Sequence, residues 1–265
     1  MSRLAPRGKP GLILATDLDG TLLGGSEDDR RRLTDTMEAE PSFQVIFLTG
    51  RNLETVRPYL DDPLVPTPAY IVSDVGATVV SGKDLKPIQP LQNELDRAWP
   101  GCTAVERVLR PFPFLERQDV PQERRCSYHI ADERSITREL LLAVESIGCS
   151  ALFSAGRYLD VLAEGVSKGT TLLKLIDLEK LDPASILVAG DSLNDLSMFE
   201  TGLKGVVVGN GEAGLKQAVS EMSSVFVARR TGAGGLLQAL CLTSPDAARA
   251  LIAPQDTFEE PCRLT

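Results

Sequence analysis

Histidine is nearly missing from this chain: His129, within "CSYHI", is the single one in 265 residues. A mechanism built on a histidine base would have to pass through that residue, on a stretch whose alternation reads as a strand. Basic charge is short as well, with 28 Lys and Arg against 37 Asp and Glu and a net charge of −9. Neutralising a duplex needs a basic face, so a nucleic acid is excluded as the main partner, whereas a local basic pocket for a small anion is not. No stretch approaches the roughly 20 apolar residues that span a bilayer, and the start "MSRLAPRGKPG" has no apolar core of the kind a signal peptide needs. These absences point to a cytoplasmic protein with no membrane partner. Cys102, Cys126, Cys149, Cys241 and Cys262 are scattered, odd in number and without a C-x-x-C pair, which argues for reduced thiols over a disulfide framework or a zinc site. There is no internal repeat or low-complexity tract.

What is present is the make-up of a soluble globular protein, 43% hydrophobic and 25% charged, long enough to bury a sizeable core. Near-continuous apolar runs recur: "LILAT" (12–16), "QVIFLT" (44–49), "AYIVS" (69–73), "SILVAG" (185–190), "GVVVG" (205–209) and "SVFVA" (224–228). Runs of that kind suit strands buried on both faces. Amphipathic segments lie between them at 27–39, 52–60, 168–179, 194–201 and 212–220. The alternation predicts an α/β fold, a doubly wound parallel sheet with helices on both faces.

Residues 84–163 break the rhythm. They open with proline- and charge-rich stretches, then read strand ("RCSYHIA"), helix ("ERSITRELLLAVESIG") and two strands ("SALFSAG", "YLDVLAEG"), an α+β pattern. The expected organisation is a core in two parts, 1–83 and 164–245, a domain inserted at 84–163, and a tail at 246–265.

The first apolar run ends on "DLDGT", placing Asp17 and Asp19 where an open parallel sheet binds its ligands. Like charges that close repel unless a cation intervenes, and Mg²⁺ is the hard ion that prefers carboxylate and carbonyl oxygens. The second run ends on Thr49, Gly50 and Arg51, offering a hydroxyl and backbone N–H groups to an anion at a helix start. "GVSKGTT" puts Lys168 at the opening of a helix, where an ammonium reaches a phosphate as a point charge. "GDSLND" ends another strand on Asp191 and adds Asn194 and Asp195, a second acidic cluster. Arg51 reads as a helix-start or surface arginine, Ser192 as a phosphate donor or a helix cap, and Gly24 and Gly25 as turn glycines.

The ordered set "DLDGT", "LTGR", "SKG", "GDSLND" resembles the haloacid dehalogenase superfamily of aspartyl-phosphate hydrolases. The position and pattern of the insertion resemble the large α+β cap of its sucrose-phosphate phosphatase subgroup. The resemblance implies a Rossmann-like core with an inserted α+β cap, and hydrolysis of a sugar phosphate through an aspartyl phosphate. It makes Asp17 the nucleophile and Asp19 the general acid and then base. Mg²⁺ would be held by Asp17, the Asp19 carbonyl, Asp191 and Asp195, and the phosphoryl group by Thr49, Gly50, Lys168 and Asn194. It also suggests Tyr128, His129, Arg157 and Asp160 as sugar contacts, with Asp74 and Gly76 of "SDVGATVV" lining the cleft. A receiver-type signalling module would store the phosphate; Asp19 and the insertion argue against that. A phosphohexomutase on the same core stays open, because it needs clustered arginines for a second phosphate, and Arg107, Arg110, Arg124 and Arg125 offer them. The sequence leaves the sugar and the oligomeric state undetermined.

Overall fold

A computed structural model describes residues 11–154 and 156–243. The predicted tail at 246–265, Cys262 and most of the N-terminal stretch lie outside the described residues. Eleven strands are described: β1 (Leu12–Thr16), β2 (Phe43–Leu48), β3 (Tyr70–Ser73), β4 (Thr78–Ser81), β5 (Glu116–Arg117), β6 (Cys126–His129), β7 (Cys149–Ser154), β8 (Tyr158–Ala163), β9 (Ile186–Gly190), β10 (Lys204–Val207) and β11 (Val225–Val227).

Seven form one sheet in the order β11-β10-β9-β1-β2-β3-β4. Its pairs are parallel except β3 with β4, which turns back as an antiparallel edge. Along β1, Leu12 and Leu14 enter one apolar cluster while Ile13 and Ala15 enter the other. Consecutive residues therefore leave opposite faces, and both faces are covered, as the continuous apolar runs require. The helix Glu27–Ala39 helps cover the first face and starts on a Ser26 cap, whose Oγ accepts the Asp29 N–H at 3.1 Å. The helix Lys168–Glu179 covers the second.

The other four strands make an antiparallel sheet, β5-β6-β8-β7, with its own apolar cluster that includes Val105, Leu109, Leu140 and Val144 from the helices Cys102–Leu109 and Arg138–Glu145. The fold is the predicted α/β core with an inserted α+β cap. Two helices, Leu91–Ala98 and Cys102–Leu109, occupy the proline- and charge-rich start of the insertion, where the sequence pattern predicts no element. Each is only eight residues long and flanked by proline or glycine, which hides the period. Leu91 and Leu95 of the first pack under the seven-stranded sheet, not under the cap sheet. "SDVGATVV" lies within the core: its last residues form β4. Among the described residues no helix is long and apolar enough to cross a membrane.

Candidate active site

β1 lies between β2 and β9, with Thr16 in register with Phe47 on one side and Ala189 on the other. The carboxyl ends of these three strands therefore open onto one crevice and deliver Asp17, Thr49 and Asp191 side by side. The Asp17 N–H donates to the Ala189 carbonyl at 2.9 Å, fixing the residue as the strand ends. The chain then turns through Leu18–Leu22 at Gly20, whose φ is +79°. A Cβ there would lie 2.2 Å from Asp191 Oδ2, so both the backbone and the space require glycine.

Lys168 is the first residue of its helix, held there by Ser167, whose Oγ accepts the Thr170 N–H at 3.1 Å. Its Nζ donates to Asp17 Oδ1 at 2.7 Å, Asn194 Oδ1 at 2.7 Å and Asp195 Oδ1 at 2.6 Å. The three donors of the ammonium are thus all used. Lys168 and Asp195 are both 0% exposed. Burial pushes the lysine down, but the Asp17 and Asp195 carboxylates outweigh it and hold the ammonium above its ordinary range. Asp17 is pushed well up by burial, against the pull of Lys168 and with a further push from Asp195. Asp195 Oδ2 accepts the N–H groups of Asp191 (2.9 Å) and Ser192 (3.0 Å), so this carboxylate braces the turn that carries Asp191. Asp191 Oδ1 accepts the Thr21 hydroxyl at 2.9 Å. Burial first, then the charge of Asp195, raises Asp191 to about 6.

Three carboxylates thus face one ammonium, and ligand atoms of Asp17, Asp191 and Asp195 lie within 4.8 Å of one another. The hydrogen bonds above occupy one oxygen of Asp17 and one of Asp191, leaving each a second oxygen to give. A hard dication suits that donor set and its charge deficit.

Asp19 stands apart from this cluster. Its carboxylate is 57% exposed and is gripped by Arg51, Nε to Oδ2 at 2.7 Å and Nη2 to Oδ1 at 2.6 Å. Arg51, expected as a helix-start or surface residue, therefore belongs to the site. Thr49 is fully buried, and its Oγ1 accepts the Arg51 N–H at 3.0 Å, leaving the hydroxyl hydrogen to donate elsewhere. Asn194 likewise keeps its amide hydrogens free for an acceptor. Above Gly50 the nearest atom a Cβ would meet is Val75 Cγ2 at 3.9 Å.

The cap sheet comes down beside these groups, β7 packing against the turn Leu193–Asp195. Alternation sorts its residues. Cys126 and Tyr128 of β6 enter the cap's apolar cluster, so Ser127 and His129 leave by the opposite face, opposite Asp160 and Tyr158 of β8. This corrects the expectation for Tyr128: strand parity turns it into the cap interior, away from His129 and Asp160. His129 is exposed, its ring 5.5 Å from that of Tyr158, and Arg157 lies over the same ring at 4.7 Å. Asp160 is buried, and its Oδ1 accepts from Ser127 Oγ and from Arg125 Nη1, the latter at 3.4 Å.

Arg125 is buried too and joins cap to core, its Nε 3.2 Å from Asp74 Oδ1, close enough for an ion pair but not aligned as a hydrogen bond. Asp74 and Val75 have φ of +52° and +57°, a strained conformation for a β-branched residue. Their N–H groups donate to the carbonyls of Arg51 (2.9 Å) and Thr49 (3.1 Å). Asp74 and Gly76 thus sit beside the second motif, and a Cβ on Gly76 would lie 2.3 Å from the Ser167 carbonyl oxygen. Of the arginines a second phosphate would need, Arg125 is committed to Asp74 and Asp160, and Arg124 to Asp96 (2.5 Å) and Glu123 (2.7 Å).

Residues 10–242 match the family model of sucrose-6F-phosphate phosphohydrolase. The chain is 52% identical over 228 residues to a glucosylglycerol-phosphate synthase from Pseudomonas anguilliseptica, covering 86% of this chain and 30% of that protein. It is 27% identical to a mannosylfructose-phosphate phosphatase from Agrobacterium fabrum, covering 88% of this chain and 96% of that one. Among solved structures, the sucrose-phosphatase from Synechocystis sp. PCC6803, in complex with sucrose and phosphate, superposes with a TM-score of 0.79 at 24% identity, over 88% of this chain and 98% of that one. Several relatives are longer than this chain, which spans 30% to 61% of their length.

Proposed function

The chain belongs to the sucrose-6F-phosphate phosphohydrolase family, and on that premise we propose that it is a Mg²⁺-dependent phosphatase acting on a phosphorylated glycosylglycerol. The observation that carries the phosphatase reading is Lys168, buried and shared between Asp17 and Asp195 at the ends of adjacent strands. Phosphoryl transfer asks mainly for in-line positioning and for cations against the equatorial oxygens. The choice of glycosylglycerol rests on the 52% identical relative, named for the synthesis of glucosylglycerol phosphate, of which this chain matches 30%. A polypeptide that joins such a stretch to a synthase is simplest to understand if the stretch consumes the synthase's product.

In this reading Thr49, the Gly50 backbone and Asn194 bind the phosphoryl oxygens, Lys168 turns one of its three donors from its present partners to them, and an Asp17 oxygen attacks phosphorus. Asp19 gives its proton to the leaving alcohol, then takes one from the water that releases phosphate from Asp17. Mg²⁺ would be held by Asp17, Asp191 and the Asp19 carbonyl with Asp195 behind them, and it supplies neutralisation of the charges that crowd there. Residues 84–163 act as a cap, with His129 and Arg157 facing the sugar and Asp160 deeper on the same face. The pairing of Arg124 and Arg125 with carboxylates weighs against a mutase, which needs arginines free for a second phosphate.

Phosphate release with Mg²⁺ from glucosylglycerol phosphate, sucrose 6F-phosphate and a hexose 6-phosphate tests this. The expected result is kcat/KM about tenfold or more in favour of the first substrate, a size that a few added hydroxyl contacts supply. Preference for sucrose phosphate would overturn the substrate assignment, and turnover retained by Asp17→Asn would overturn the mechanism.

A further inference from the structure

Resting on the role just given to Asp19, we infer that Arg51 is its positioning residue, fixing the carboxylate that passes the proton to the leaving alcohol. One guanidinium takes both carboxylate oxygens, through Nε at 2.7 Å and Nη2 at 2.6 Å. Such a fork sets the plane as well as the place of a carboxylate, which a single ammonium contact does not. Asp19 needs that hold. Its side chain is 57% exposed and its backbone is extended within the turn, φ −71° and ψ 122°, so an ungripped carboxylate would spread over several rotamers.

Arg51 is itself fixed at three points. Its N–H donates to Thr49 Oγ1 at 3.0 Å, its carbonyl accepts the Asp74 N–H at 2.9 Å, and its guanidinium lies 4.9 Å from the Tyr59 ring centroid. The end of β2 and the strained Asp74–Val75 turn thereby impose their rigidity on a group carried by a different loop. In the first half-reaction an Asp17 oxygen bonds to phosphorus, the bond to the alkoxy oxygen breaks with its electron pair, and Asp19 passes its proton to that oxygen. A protonated Asp19 keeps one of the two bonds from Arg51, because only one of its oxygens carries the hydrogen.

The test compares two esters in single-turnover, rapid-quench measurements of leaving-group release: the glycosyl phosphate, whose alcohol needs a proton, and para-nitrophenyl phosphate, whose phenolate does not. Arg51→Ala is expected to slow release of the alcohol by about 10² and of nitrophenolate by less than about threefold. Arg51→Lys should fall between Arg51→Ala and the unmodified protein, and in an Asp19→Asn background Arg51→Ala should add less than about twofold. Thermal melts identify any variant that fails to fold, and the lysine variant then carries the comparison. Selective slowing by Asp19→Asn but not by the Arg51 variants would overturn the inference alone. A further tenfold loss from Arg51→Ala on top of Asp19→Asn would also overturn it. Equal slowing of both esters by Asp19→Asn would overturn the proton role of Asp19 and the inference with it.

Discussion

The two sheets gather their polar groups by different rules. In the seven-stranded sheet the chemistry sits beyond strand ends: Asp17, Thr49 and Asp191 follow β1, β2 and β9, and the strand interiors are apolar apart from the half-buried Gln44 of β2. In the four-stranded sheet it sits along the strands, on one face, as Ser127 and His129 alternate with Cys126 and Tyr128. The first arrangement builds a site from backbone topology, so residues far apart in sequence meet at hydrogen-bond distance, as Lys168 and Asp17 do at 2.7 Å. The second builds a surface whose contents are set by strand parity, where a shift of one residue replaces every group presented. A core of this kind suits a fixed reaction, and a cap face of this kind suits a variable substrate.

Breaking the core should cost most. Lys168→Met removes the ammonium that pairs with Asp17 and Asp195 while nearly keeping the volume. Truncating one partner of a fully buried ion pair costs about 3–5 kcal/mol, and losing a donor to the transition-state charge costs about 10²–10³ in rate. The expected variant has turnover lowered by at least about 10² and a melting temperature that falls steeply without Mg²⁺ and recovers in part with it. Scanning calorimetry with and without the ion, beside a phosphate-release assay, checks both. A variant as stable as the unmodified protein in the absence of Mg²⁺ would contradict the account of Lys168 as the counter-charge.

The cap should answer more mildly and only toward the sugar. Asp160→Asn takes a negative charge from beside Arg125, leaving that buried arginine with Asp74. KM for the glycosyl phosphate is expected to rise about tenfold or more, in keeping with roughly 1.5–3 kcal/mol for one buried charge-assisted hydrogen bond. Steady-state kcat/KM for para-nitrophenyl phosphate should stay within about twofold. Equal losses on both substrates would mean that the Arg125 pairing supports the core site itself and would erase the distinction between the two sheets.

The same difference explains what could be read before any coordinates. The core was legible because its signals are local and redundant. Three of the apolar runs stop on the chemically specific residues Asp17, Thr49 and Asp191, the helices 27–39 and 168–179 carry their own serine caps, and an open parallel sheet sends those three stops to one crevice. The antiparallel return of β4 was not legible, since it depends on the left-handed Asp74–Val75 turn, a conformation these residue types disfavour. The role of Arg51 is not legible in sequence for a related reason: its partner is 32 residues away and on another loop. In the cap, the stretch "CSYHI" fixes a strand but not which face meets the cleft, and both parities satisfy a half-buried pattern. Only the third cluster, with Val105, Leu109, Leu140 and Val144 packed against Cys126 and Tyr128, decides it.

Tyr128 gives the smallest expected effect and the sharpest reading of that parity. Its ring is buried in the cap's apolar cluster, and its hydroxyl is buried without a hydrogen-bond partner. Desolvation by burial accordingly raises the phenol far above its ordinary range. An unsatisfied buried hydroxyl costs about 1–3 kcal/mol, whereas a ring that keeps its packing loses nothing when that oxygen goes. Tyr128→Phe should therefore leave the melting temperature unchanged or raise it by a few degrees, with KM for the glycosyl phosphate unaltered. A tenfold rise in KM with unchanged stability would put the hydroxyl on the sugar and reverse the assignment of faces. Because its neighbour His129 leaves by the opposite face of the same strand, His129→Ala should then show the complementary result: a weaker KM for the sugar if the cleft face is as described, and none if it is not.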